Sequence, residues 1–329
     1  MGNVSEDRAL GAVVGSAVGD ALGAPFEFGP AGAYSARFPR ALTGDATEMV
    51  GGGGFGWEPG EFTDDTQMAI VQAESLLAWG TLDEGDLFER FRVWASEATD
   101  VGNQNRAVLG SGRVASEAAT AYYARNPRNS AGNGALMRST LSAVLGAGGT
   151  LGETIALARM TASVTHGDPA AGWGTAIHHV MLRAALRRED PFDALHAILD
   201  ALPEGQKPFR DMLRDDWTPD DGGFPNGTVW GCLAQAVWAV RSTSSFSSAL
   251  VTAIDLGGDT DTVAAVAGGL AGAIYGFEAI PQRWTDPLHG TVTTASGPVT
   301  WTFFDLIQLT RRLLSDWEQP PRARTSGHG

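Results

Sequence analysis

Leu10, Val13, Val14, Val18 and Leu22 recur at the spacing of one helix face, so the chain is expected to open on a buried helix. Ser5 stands where an N-cap belongs, acids fill the first turn, and Gly23 with Pro25 closes the segment. The same period returns over 68–79, 86–97, 135–145, 154–161, 169–187, 229–241, 246–254, 263–275 and 303–314, with Gly, Pro, Asn or Asp between. Strand-like alternation is confined to short pieces such as 291–294, too little for a sheet core. The pattern therefore predicts an all-α fold, a single compact domain of many helices over 1–318. Between Phe28 and Glu61 the period dissolves into glycine and proline, including Gly51 to Gly54, as expected of a mobile surface loop with a functional role. Residues 319–329 are Pro, Arg, Ser and Gly with little to bury, and predict a disordered C-terminal tail.

The run 263–280 approaches the length of a membrane span, but Asp259, Asp261, Gly276 and Glu278 mark it as a packed central helix instead. The N-terminus carries acids rather than a basic leader, so export is not expected and a cytoplasmic location is. Acidic side chains number 38 against 23 basic, a net charge of −15 that disfavours nucleic acid and anionic membrane as partners. Cys232 is the one cysteine, which excludes an intrachain disulfide and cysteine-based zinc or iron–sulfur sites. Lys207, the one lysine, lies in Gly205-Gln206-Lys207-Pro208, a setting that suits neither a phosphate-binding loop, nor a protein kinase, nor a pyridoxal-phosphate enzyme.

Two segments resemble each other, Phe62-Thr63-Asp64-Asp65-Thr66 and Gly257-Gly258-Asp259-Thr260-Asp261-Thr262, each ahead of an apolar helix. Capping is one reading, because Asp and Thr satisfy the free N–H groups of a first turn. One Asp would do for that. The other reading is a dinuclear site, since four carboxylates brought together repel unless protonated or neutralised, and hard divalent cations prefer carboxylate and hydroxyl oxygens. Spacing leaves both open. Gly132-Asn133-Gly134 precedes an apolar stretch, so its N–H groups could face an anion at a helix start, or could form only a turn. His166 falls on a turn before Gly167, Asp168 and Pro169, either in a site or in a plain loop, and His178 and His179 are expected one facing in and one out, serving packing.

These residues resemble the ADP-ribosylglycohydrolases. The resemblance runs in order through Gly19-Asp20-Ala21-Leu22-Gly23 with Glu27, then Thr63-Asp64-Asp65-Thr66, Gly132-Asn133-Gly134-Ala135-Leu136-Met137-Arg138, Thr165-His166, and Gly257-Gly258-Asp259-Thr260-Asp261-Thr262 leading to Gly272-Ala273-Ile274-Tyr275-Gly276. It implies an all-α domain with a dinuclear metal cleft. Two Mg2+ ions, with Mn2+ able to substitute, would be held by Thr63, Asp64, Asp65, Asp259, Asp261 and Thr262. Glu27 would act as general base or water-positioning residue. Gly132, Asn133, Gly134, Met137 and His166 would line the ADP-ribose site, and Asp20 would order the end of the first helix behind the metals. Arg138 is left between phosphate ligand and surface residue, and Phe55 and Trp57 between a lid over the site and an anchor in the core.

The implied activity is Mg2+-dependent release of ADP-ribose from an acceptor, either a protein side chain, arginine ahead of serine, or a small ADP-ribose conjugate. The chain is expected to act as a monomer. The alternative is a non-catalytic relative that keeps the fold and ADP-ribose affinity. A nucleotide-directed two-metal phosphohydrolase is a third, more distant reading.

Overall fold

The computed structural model describes residues 4–44 and 46–317. Residues 319–329, read above as a tail, lie outside the described residues. The chain begins with α1 (Glu6–Gly23), α2 (Ala33–Arg37), α3 (Asp64–Trp79) and α4 (Glu84–Ala95), followed by α5 (Asn103–Leu109) and α6 (Ala115–Arg125). It continues through α7 (Thr140–Gly146), α8 (Leu151–Ser163), α9 (Pro169–Leu186), α10 (Pro191–Ala201) and α11 (Lys207–Met212). Then come α12 (Val229–Arg241), α13 (Phe246–Ile254), α14 (Thr260–Tyr275), α15 (Gln282–Thr285), strands β1 (His289–Thr294) and β2 (Gly297–Thr302), and α16 (Phe303–Trp317). The expected all-α architecture holds, with one antiparallel hairpin where the sequence suggested a fragment of strand: His289 pairs with Thr302 and Thr294 with Gly297.

The axis of the fold is the pair α1 and α14. Gly11, Gly15, Gly19 and Gly23 on α1 lie against Gly272, Gly268, Ala264 and Asp261 on α14 so closely that a Cβ on Gly19 would come within 2.0 Å of the Ala264 carbonyl oxygen. Glycine therefore brings the two backbones together here, nearer than side chains ordinarily allow. Both helices are buried on nearly every side, which explains why each reads as apolar all round rather than striped. Glu6–Phe26 has the length and apolarity of a membrane span, yet it is buried inside the protein. The run 263–280 behaves likewise as a packed core helix that stops at Gly276, whose φ is 84°.

Other expectations need correction. Ser5 occupies the N-cap of α1 but its hydroxyl makes no capping bond, accepting instead from Arg188. Both His178 and His179 are buried, because α9 is packed around its whole circumference, and they bond to Ser139 and Ser142. The segment 28–61 carries α2 and is packed: Tyr34, Met49 and Trp57 are buried in it, and Ser35 is tied to Asp255.

Candidate active site

The starts of α3 and α14 face each other. Thr63 is the N-cap of α3 and Asp259 that of α14, yet neither side chain makes a capping bond. The end of α3 is capped from outside, by Asp20 of α1. Its two oxygens accept from the Thr63 N–H at 3.0 Å each, the Thr63 hydroxyl at 2.7 Å, the Thr66 N–H at 3.1 Å and the Thr66 hydroxyl at 2.6 Å. Capping thus accounts for Asp20 and leaves Asp64 and Asp65 free for other work.

A bond from Thr262 Oγ1 to Asp65 Oδ1 at 3.4 Å joins the two acidic clusters, while Asp65 Oδ2 is buried with no partner. Asp261 Oδ1 accepts the Thr262 N–H at 2.8 Å. Carboxylate oxygens of Glu27, Asp259 and Asp261 all lie within 4.8 Å of one another. Asp259 is steered by Asn133 Nδ2, which donates to its Oδ2 at 2.9 Å, and its own N–H donates to Asn226 Oδ1 at 3.1 Å. Glu27 is placed by its neighbour: Phe28 N–H donates to Gly258 O at 2.6 Å, and Phe28 takes a φ of 61°. That is a left-handed conformation costing a phenylalanine on the order of 1 kcal/mol. It leaves the ring exposed at the mouth of the cleft.

The electrostatics point one way. Burial, then Asp259, Asp100 and Asp20, push Glu27 up to about 8. Burial raises Asp20 to about 6 against the pull of its hydrogen bonds. Asp64, Asp65 and Asp261 are raised well above the usual carboxylate range, by burial first and then by the surrounding acids. A buried orphan oxygen, converging carboxylates and an all-oxygen donor set fit a hard divalent cation. Thr63, Asp64, Asp65, Asp259, Asp261 and Thr262 are the residues that could hold it, with Glu27 beside them.

A cleft of about 540 Å³ opens over this cluster, lined by Glu27, Asp64, Asp259, Asp261 and Thr262 together with Gly132, Asn133, Gly134, Met137 and His166. Thr63, Asp65 and Asp20 are buried and do not line it. The helix expected over 135–145 begins only at Thr140, and residues 134–138 form a turn, so no helix dipole stands directly behind Gly132-Asn133-Gly134. The Asn133 N–H is directed to Gly227 O at 3.4 Å. Arg138 is neither a phosphate ligand nor a surface residue: it is fully buried. His166 is buried too, held neutral with its pKa lowered to about 3 by burial and by Arg138. Phe55 lines the cleft, half-exposed, whereas Trp57 is buried, so each of the two readings fits one of the pair.

Asp100, Asn103, Gln104, Asn105, Tyr122 and Asn129 also line the cleft and are not among the residues expected there. Burial and Asp259 raise the Asp100 carboxyl. Its only signal was a polar run, Asp100 to Asn105, interrupted by Val101 and Gly102 and without a recognisable spacing.

The fold and the cleft thus define a helical domain whose acidic helix starts meet and could hold a divalent cation. The chain belongs to the ADP-ribosylglycohydrolase family, whose model matches residues 1–322. It is 34% identical over 293 residues to the ADP-ribosyl-[dinitrogen reductase] glycohydrolase of Rhodospirillum rubrum, covering 86% of this chain and 90% of that protein. It is 31% identical to the ADP-ribosylarginine hydrolase Tri1 of Serratia proteamaculans, covering 86% of this chain and 76% of that one. A solved ADP-ribosylglycohydrolase-related protein complex superposes with a TM-score of 0.71 at 34% identity, covering 95% of this chain and 98% of that one.

Proposed function

We propose that this chain hydrolyses the bond between ADP-ribose and an acceptor, arginine in preference to serine, with two Mg2+ ions in the cleft. The observation that carries the reading is the meeting of Asp65 with Thr262, which sets one acidic cluster against the other and leaves Asp65 Oδ2 unpartnered. Bound cations would neutralise the cluster and organise sugar hydroxyls and water by their charge. Asp20 fixes the first turn of α3, and Asn133 fixes Asp259, so both sets of oxygens are oriented before any ligand arrives.

Glu27, whose carboxyl stands at about 8 in the metal-free site, would be ionised once cations offset the surrounding acids, and then takes a proton from the attacking water. As the water oxygen bonds to the anomeric carbon, the carbon–nitrogen bond breaks, its electron pair stays on the leaving guanidine, and that group takes up the proton Glu27 received from the water, so that it departs as a guanidinium and Glu27 is again ionised. A cleft whose lining includes both Glu27 and Asp100 suits a cationic acceptor better than a neutral hydroxyl, and the name of the Serratia relative supports arginine. Calorimetric Mg2+ titration tests the metal assignment: Asp64→Asn and Asp259→Asn should each abolish binding in a folded protein. Undiminished affinity in both would refute it.

A further inference from the structure

Arg138 forms no ion pair with any described residue, and the one carboxylate that acts on it, Asp64, does so from beyond contact. Arg138 is fully buried, and its donors go to neutral acceptors: Gln72 Oε1 at 3.2 Å, Gly134 O at 2.8 Å, Thr161 O at 3.3 Å and Thr165 Oγ1 at 2.8 Å. Its guanidinium carbon sits 4.7 Å from the centre of the Phe91 ring. Burying a guanidinium whose direct partners are all neutral is expensive, and a hydrophobic residue would fill such a volume more cheaply. At its far end the network reaches His166 through Thr165.

Thr165 is fully buried, and its Oγ1 lies 2.8 Å from His166 Nδ1. A hydroxyl has one proton to give and two lone pairs to offer. A guanidinium can only donate, so Arg138 occupies a lone pair of Oγ1. The Thr165 proton then has one acceptor among the described residues, His166 Nδ1. Were Nδ1 itself protonated, the hydroxyl proton would be buried without a partner. We infer that Arg138 and Thr165 are positioning residues that fix His166 as the neutral Nε2–H tautomer, presenting a hydrogen-bond donor to the cleft.

The surroundings of Nε2 agree. His166 lines the cleft, and Nε2 makes no hydrogen bond to any described residue. A Cβ on Gly134 would lie 3.3 Å from Nε2 and one on Gly132 3.5 Å from it, so the two glycines leave the approach to this nitrogen open. Its burial keeps the ring neutral through the physiological range. An oxygen acceptor is what such a donor selects. On the proposed function, that oxygen belongs to a phosphoryl or ribose group of ADP-ribose, and only the ligand's name rests on that reading.

The test is the tautomer itself, read by long-range 1H–15N correlation on histidine-labelled protein at neutral pH, with His166 assigned by its loss in His166→Asn. Wild type should show a pyridine-like Nδ1 and a pyrrole-like Nε2. Thr165→Val removes the hydroxyl while keeping the volume, and should release the tautomer preference and weaken ADP-ribose binding roughly tenfold by calorimetry. Thr165→Ser should restore both. Arg138→Met frees the Thr165 lone pair and should act like Thr165→Val; because it dismantles a buried network and can fail to fold, Thr165→Val carries the decision. An Nδ1–H tautomer in wild type, or a Thr165→Val protein that keeps the Nε2–H form and full affinity, would overturn the inference. A wild-type Nε2–H tautomer in a protein with no affinity for ADP-ribose would instead contradict the proposed function and leave the positioning role standing.

Discussion

Gly23→Ala should damage the site through the packing of α1 on α14. A Cβ at Gly23 would stand 2.5 Å from Asp261 Cα, 2.5 Å from Thr260 O and 2.7 Å from Asp261 N, where ordinary contact begins at 3.4 Å. The start of α14 must therefore retreat by about 1 Å, a displacement that in a preorganised site costs on the order of 100-fold in rate. Overpacking of this kind costs about 1–3 kcal/mol, of which the better helix propensity of alanine returns up to about 1 kcal/mol. Stability should fall modestly while Mg2+ affinity and turnover fall steeply. Gly11→Ala is the matched control, because its Cβ would meet Gly272 O at 2.4 Å, at the opposite end of the same helix pair. Thermal melts, Mg2+ calorimetry and single-turnover assays on the two variants separate the effects. Wild-type metal affinity and rate in Gly23→Ala, or equal loss of metal from a folded Gly11→Ala, would refute the argument that α1 positions Asp261.

Glu27→Gln should retain ADP-ribose binding and lose about 100- to 10,000-fold in single-turnover rate, the usual worth of a general base, and an unchanged rate would remove Glu27 from that role. Asp20→Asn should weaken Mg2+ binding and lower stability by about 1–3 kcal/mol in chemical denaturation, because one of its oxygens becomes an amide that cannot accept from the first turn of α3. The Glu27 carboxyl is raised from 4.5 to about 8, so its contribution to metal-free stability is fully present below about 4.5 and is lost as pH rises through about 8. The melting temperature of chelated protein should accordingly fall across that window, and saturating Mg2+ at its upper end should restore it. Cation and proton compete for the same oxygens, so Mg2+ affinity should weaken as pH is lowered below about 8, measurable as proton release in buffers of different ionisation enthalpy.

The long helices were legible wherever apolar residues recurred at helical spacing, whether one face met the core or, as in α9 and α14, nearly all of the helix did. Periodicity located most of α3, α9, α12, α13, α14 and α16. It lost the first turn of α3 because Asp64 and Asp65 are buried acids, which hydropathy counts as loop. It misread 135–139 as helix because Ala135, Leu136 and Met137 are apolar and buried, though what buries them is a turn whose Gly134 carbonyl is held by Arg138. Glycine content made 28–61 look mobile, and only the fold reveals where Tyr34, Met49 and Trp57 find their pockets. For the site, the chemistry of each acidic cluster was visible in its residues. Their apposition was not, because it depends on α1 lying against α14 and on Asp20 reaching across to α3. Asp100 and Asn105 enter the cleft from a short helix and its approach, with no periodic or motif signal to announce them.

The most direct test of the account is the release of free ADP-ribose from arginine-linked and serine-linked ADP-ribosyl peptides, each with Mg2+ and again after chelation. Metal-dependent release, faster from the arginine linkage, is the predicted result. Release that persists after complete chelation would contradict the metal assignment, and no release from either peptide by a protein that still binds ADP-ribose would contradict the proposed reaction.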